Sequence, residues 1–260
     1  MKRVLKSLMI IFFLALLVFV GLKGIRYIQD HKPNKNKVDL SKIFKVEGDF
    51  ASIIYENTMM EESAFIVEER VYLDIEFAKA YVSDKVFFDY NELIFSFTTP
   101  NELIRSFIDS NEYSMNGAVS HEEYKITIVN SKEDVFVSLD FLEKFCNYEH
   151  EYFSAPNRLL LRELGKDDGL VKATKNTEIR VLPDIKSEIL MDVIEGQDLY
   201  LVSESKSDGI EQNQIQWMLV MTLDGFQGYI RNKYIGDVEI RKRPEDKYVY
   251  DYTNIAMDEG

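Results

Sequence analysis

The side chains of this 260-residue chain best suited to metal or nucleophilic chemistry are few: three histidines and one cysteine. His121 precedes Glu122 and Glu123, and His150 precedes Glu151, but neither has a second histidine at the helical spacing a metal centre uses. Both read as solvated surface residues. Cys146 closes the segment LDFLEKFC, where Leu139, Leu142 and Cys146 share a helical face by i, i+3, i+7 spacing. It reads as a small core residue. Its neighbours Glu143 and Glu149 are the opposite of the electropositive setting that activates a thiolate. Acidic pairs such as Asp167–Asp168 or Glu61–Glu62 suit glycoside hydrolysis in principle, but among 45 acidic residues such adjacency arises by chance. What remains is aromatic recognition. Tyr229 and Tyr234 are placed to stack on a sugar or peptide, and Trp217 either joins them or fills a small core. No catalytic group, metal or cofactor is expected.

Composition narrows the partners. A formal charge of −14 argues against nucleic acid, whose phosphates demand clustered Lys and Arg. It also predicts that binding to an anionic surface polymer gains little from charge and depends weakly on salt. Hydrophobic residues make up 46%, with 17 Phe and 15 Tyr, enough for real cores. A single cysteine excludes an internal disulfide framework.

Residues 7–22 carry no charge and lie between Lys6 and Lys23. As a helix these about 16 residues span roughly 24 Å, slightly short of a ~30 Å hydrocarbon layer, and flanking lysines can snorkel to cover the gap. A cleavable signal peptide and an uncleaved anchor both fit the run; the absence of an A-x-A-like site favours a signal anchor over 1–23. Both flanks are basic, so charge bias does not orient the span. A single N-terminal span before a long chain favours an extracytoplasmic globular part. Residues 24–42, with HKPNKNK at their centre, lack hydrophobic period and read as a polar tether.

Residues 43–164 contain an internal repeat. VYLDIEFAKAY (71–81) and VFVSLDFLEKF (135–145) both begin with period two and switch to helical spacing. Each is preceded by a strand-like run, AFIVEE (64–69) or YKITIVN (124–130), and followed by an aromatic-rich hairpin. The predicted unit is strand, strand, short helix, strand, strand, twice over, with Phe77 and Phe141 at equivalent buried positions. This pattern resembles the extracytoplasmic copper amine oxidase N-terminal-like repeat, whose strand-to-helix junction reads x-Y-V-P-L-R-F-L; here it reads VYLDIEFA and VFVSLDFL, without the Pro and Arg. The resemblance covers about 64–162 and does not imply copper binding.

After a break at GKDDG (165–169), period two returns in five short runs: 177–182, 191–193, 198–203, 215–221 and 226–230. Five strands in about 70 residues predict a small barrel over 171–237. TEIRVLP (177–183), EGQDL (195–199), WMLV (217–220), DGFQGYI (224–230) and the closing Tyr234 and Ile235 resemble the bacterial Src-homology-3-like (SH3-like) domain, which usually binds cell-wall material and catalyses nothing. Leu182 and Glu178 depart from that family's Gly and Asn in the first loop. Gly225 suits a positive φ in the hairpin, and Gly228 a close backbone approach. Residues 238–260 show no periodic core and read as a tail.

The fold class expected is therefore mainly β with short helices, an α+β repeat module followed by a small SH3-like barrel, behind one N-terminal transmembrane helix. The function expected is a noncatalytic cell-surface protein that binds peptidoglycan, or another surface protein, through the barrel. Anchor, repeat and barrel together also resemble the front part of surface glycosidases of glycoside hydrolase family 18. The D-x-x-D-x-D-x-E motif of that enzyme is absent, which makes the alternative a truncated glycosidase lacking its catalytic domain.

Overall fold

The computed structural model describes residues 13, 16–27, 29, 32–44, 46–130, 133–203 and 217–249. Among the described residues the chain is mainly β, with three sheets and a few short helices. Among the described residues no helix is long and apolar enough to cross a membrane. The expected span over 1–23 lies largely outside them; of it, Phe13 and residues 16–23 are placed, in helical conformation.

The first seven-stranded sheet is built around β1 (Phe50–Tyr55) and β12 (Asn157–Glu163), which pair in parallel. Their sequences, FASIIY and NRLLLRE, are continuous apolar runs at the centre, as expected of strands covered on both faces. Ile53, Leu159 and Leu161 face one core, while Ile54 and Leu160 face another. On one side of this pair lies β11 (Tyr148–Ser154). On the other follow β2 (Thr58–Val67), β3 (Arg70–Asp74), β10 (Val135–Ser138) and β9 (Thr127–Val129).

The two strand–helix segments meet in this sheet. β3 and β10 pair antiparallel, with Leu73 opposite Val137 and Tyr72 opposite Ser138. Each runs into a short helix, Ile75–Phe77 or Leu139–Leu142, at its C-terminal end. Asp74 caps the first by accepting from the amides of Glu76 and Phe77, and Ser138 caps the second by accepting from Phe141. Phe77 and Phe141 are both buried in one core. The hairpins that follow take different routes. β11 and β12 return to the same sheet, whereas β4 (Val86–Asp89) and β5 (Ile94–Thr98) open a separate five-stranded sheet with β6 (Leu103–Phe107), β7 (Glu112–Met115) and β8 (Ala118–His121).

The second seven-stranded sheet has the order β15–β14–β18–β17–β16–β13–β19, from β13 (Asp167–Lys172), β14 (Thr177–Arg180), β15 (Ile189–Val193), β16 (Asp198–Ser203), β17 (Trp217–Thr222), β18 (Gln227–Arg231) and β19 (Glu239–Lys242). Five of these strands overlap the five period-two runs, although Ile215 and Gln216 of the fourth run lie outside the described residues. Segments read from sequence as linker, tether and tail add to this sheet. β13 begins immediately after the Gly165 turn, and β19 pairs along it. Val38 donates to the carbonyl of Ile189, Ile189 donates to that of Asn36, and Phe44 is buried against Phe226. The polar tether is thus bound to the sheet from Asn34 onward, because its backbone satisfies the free edge of β15.

The two seven-stranded sheets share a core and are also joined by charge. Arg158 of β12 is buried; it donates to the backbone carbonyl and the carboxylate of Asp224 and lies over the Phe226 ring at 4.3 Å. At the other end, Arg243 donates to Asp168 at 2.7 Å and to Glu56 at 2.6 Å, and Arg162 donates to the same Asp168. Burial pulls Arg243 down, but its hydrogen bonds to Asp168 and Glu56 outweigh that and hold its pKa above the ordinary guanidinium value. Asn147 and Tyr248 exchange two further hydrogen bonds, so residues 239–248 clasp both units.

Candidate functional site

On β17 and β18 alternation sorts side chains into two sets. Met218, Val220 and Ile230 enter the core, while Trp217, Leu219, Tyr229 and Arg231 take the opposite face. Trp217 lies opposite Arg231 and Leu219 opposite Tyr229, and Tyr229 is in turn opposite Arg180 of β14. Directly paired residues project on the same side. One outward face therefore carries Trp217, Arg231, Tyr229 and Arg180.

An open cavity of about 260 Å³ lies on this face. Its lining includes Trp217, Arg231, Tyr234, Lys175, Glu178 and Arg180. Tyr234 is held by a single 3-10 turn, Asn232–Tyr234, whose last carbonyl accepts from the amide of Thr174 at 2.9 Å. That bond fixes the ring beside Lys175, whose ammonium stands 3.9 Å from the ring centre. The Arg231 guanidinium stands 5.3 Å from the Trp217 ring. Both are cation–π distances.

Arg180 builds the floor. It is buried, and donates to the carbonyls of Ile185, Ser187 and Asn34 and to the Glu178 carboxylate at 2.7 Å. The β14–β15 loop, the N-terminal arm and Glu178 are thus gathered by one guanidinium, whose planar fork reaches several acceptors at once. Gly228 makes the strand approach possible: a Cβ there would lie 2.6 Å from the Arg180 carbonyl oxygen. Gly225, at φ +90°, turns the β17–β18 hairpin and lies against Ile54 and Leu160 of the other sheet.

The cavity is cationic despite the chain's overall charge. Lys175 and Arg231 line it, Lys233 lies beside it, and among the described residues Glu178 is the one carboxylate in its lining. Burial pushes the Tyr234 phenol up, but the Lys233 hydrogen bond and the charges of Lys175, Lys233 and Arg231 hold it below its ordinary value. The expectation of weak salt dependence came from total charge, which says nothing of where the positive charges gather.

The sequence-derived aromatics divide here. Trp217 and Tyr234 both line the cavity. Tyr229 shares their face but is half-buried between Arg180 and Leu219 and does not line the cavity. Trp217 is half-buried and stands outside the core, which is filled instead by Ile179, Leu199, Val220, Met221 and Ile230. Lys175, Glu178 and Arg231 were not read from sequence as site residues. The signal for Arg231 was its period-two relation to Tyr229, but pairing it with Trp217 requires the strand register.

Elsewhere the candidate chemistry is local. His121 is exposed beside Glu112, and His150 lies 2.6 Å from the Glu143 carboxylate, so His150 is partnered and not simply solvated. Burial, only partly offset by a hydrogen bond with Ser83, pushes the Cys146 thiol up to about 12. Among the described residues no group of three His, Cys, Asp or Glu could hold a metal ion. Compared with protein-family models, curated proteins and solved structures, the chain matches none.

Proposed function

We propose that this protein is a noncatalytic, membrane-anchored binding or scaffolding protein whose globular part faces outward. In this reading an SH3-like unit over 171–237 binds cell-wall peptidoglycan, following a duplicated strand–helix module. The observation that carries it is the cavity lined by Trp217 of β17 and Tyr234 of the turn after β18, two flat rings with polar groups in the same lining, which is the composition of a site for sugar or peptide. The apolar run at 7–22 supports the anchor, and the residue pattern from Thr177 to Ile235 supports the SH3-like reading. Another surface protein is the alternative partner.

The test is retention of the detergent-solubilised full chain on purified sacculi. Wild type is retained, and Tyr234→Ala and Trp217→Ala reduce retention with the melting temperature nearly unchanged. Tyr229→Ala has the smaller effect, since its ring lies off the cavity. Absence of retention overturns wall binding and leaves the unit a spacer or protein-docking surface. Protease shaving of intact cells tests orientation: a globular part digested only after lysis overturns the outward-facing reading.

A further inference from the structure

We infer that the cavity between Trp217 and Tyr234 selects a carboxylate-bearing peptide of the wall and not its neutral glycan, an inference that rests on the wall-binding reading above. The reason is the state of its cations. Arg70, Lys125, Lys144, Arg158, Arg162 and Arg243 all form ion pairs with carboxylates. Lys175, Arg231 and Lys233 form none among the described residues. They gather instead around Trp217 and Tyr234. Three cations at one aromatic cleft, without an ion pair among the described residues, suit an anion, since a carboxylate there gains charge-assisted hydrogen bonds that a sugar hydroxyl cannot match.

Glu178 narrows the anion. Its Oε1 atom is taken by Arg180, while its side chain remains 38% exposed toward the same cavity. A phosphate dianion meets about twice the repulsion from it that a carboxylate does. A peptide, with a carboxylate at one point and an N–H or ammonium donor a short distance away, satisfies both signs at once. The volume agrees: about 260 Å³ is less than the ~300–1,000 Å³ of sites that enclose a drug-sized molecule, so the cavity takes the end of a chain or one branch. The rings then cover the apolar part of that end.

The experiment compares retention of the full chain on three preparations: intact sacculi, sacculi stripped of phosphate polymers, and stripped sacculi whose free carboxylates have been amidated. Each is run at low and high salt with wild type and with the Lys175→Gln/Arg231→Gln double variant. Expected are equal retention on intact and stripped sacculi, loss of about tenfold on amidation, and a similar loss in the double variant or at high salt, each equivalent to ~1.4 kcal/mol. Wild type held equally on amidated sacculi overturns the carboxylate while leaving wall binding in place. Loss on stripping of the phosphate polymers also overturns it, naming phosphate as the anion. A double variant retained like wild type shows that these cations do not contact ligand and overturns the site. No retention on any preparation removes the wall-binding reading itself, a result distinguishable from all the others.

Discussion

The same residue types serve opposite ends at two places in this molecule. At the junction between the seven-stranded sheets, Arg162 and Arg243 converge on Asp168, with Glu56 closing the set and Arg162 lying 4.0 Å from the Tyr200 ring centre. At the cavity, Lys175 and Arg231 stand against Tyr234 and Trp217 with no ion-paired carboxylate among the described residues. In both places a cation lies on an aromatic face. The difference is pairing and burial: Arg243 and Asp168 are nearly inaccessible and mutually neutralised, whereas Lys175 is exposed. Charges at the junction are matched within the chain, whereas in the reading proposed above those at the cavity are left for a ligand.

The largest effect expected is at the junction. Asp168→Ala leaves two guanidinium groups buried without their shared partner and should cost about 3–5 kcal/mol. Urea unfolding measures it, and a loss below ~1 kcal/mol would break the distinction drawn here. Gly228→Ala tests the scaffold of the cavity as opposed to its charges. Its Cβ meets backbone at 2.6 Å, so the strands must part, at a cost of about 1–3 kcal/mol.

A smaller, pH-dependent effect belongs to Glu163 at the junction. Burial pushes its carboxyl up, yet Lys166, Tyr55 and Arg243 hold it below the ordinary 4.5. A folded pKa below the unfolded one gives stability that is complete above the unfolded value and lost as pH falls through the folded value. Glu163→Gln should therefore flatten the acid side of a stability–pH curve; a curve parallel to wild type would remove Glu163 from the charge network. The smallest effect is the most diagnostic. Lys175→Gln with Arg231→Gln should change stability by no more than about 0.5 kcal/mol. A larger loss on melting would make them structural, like Arg243.

The mainly-β class was legible because period two survives in most of the chain, above all in 177–203 and 217–230. The capped segments after β3 and β10 were legible from the switch of period at Asp74 and Ser138. β6 to β8 escaped notice because inward positions are taken by polar or small groups such as Ser106, which breaks the alternation. β19 was missed for a related reason: Glu239 to Lys242 is exposed throughout and pairs only through its backbone. The site was half legible. Trp217 and Tyr234 announced themselves by type, but Lys175 and Arg231 look like any surface cation until register and loop geometry bring them to the same rings.

The N-terminal arm has a mechanical consequence. Lys186 donates to the carbonyls of Gln29 and Lys32, Arg180 to that of Asn34, and Val38 bonds along β15. A pull applied through the residues preceding the arm reaches Lys186 first, then Arg180, and only later the core around Phe44. Arg180 is also the floor of the cavity. Tension on the N-terminus would deform the cavity before the core unfolds, coupling its shape to load.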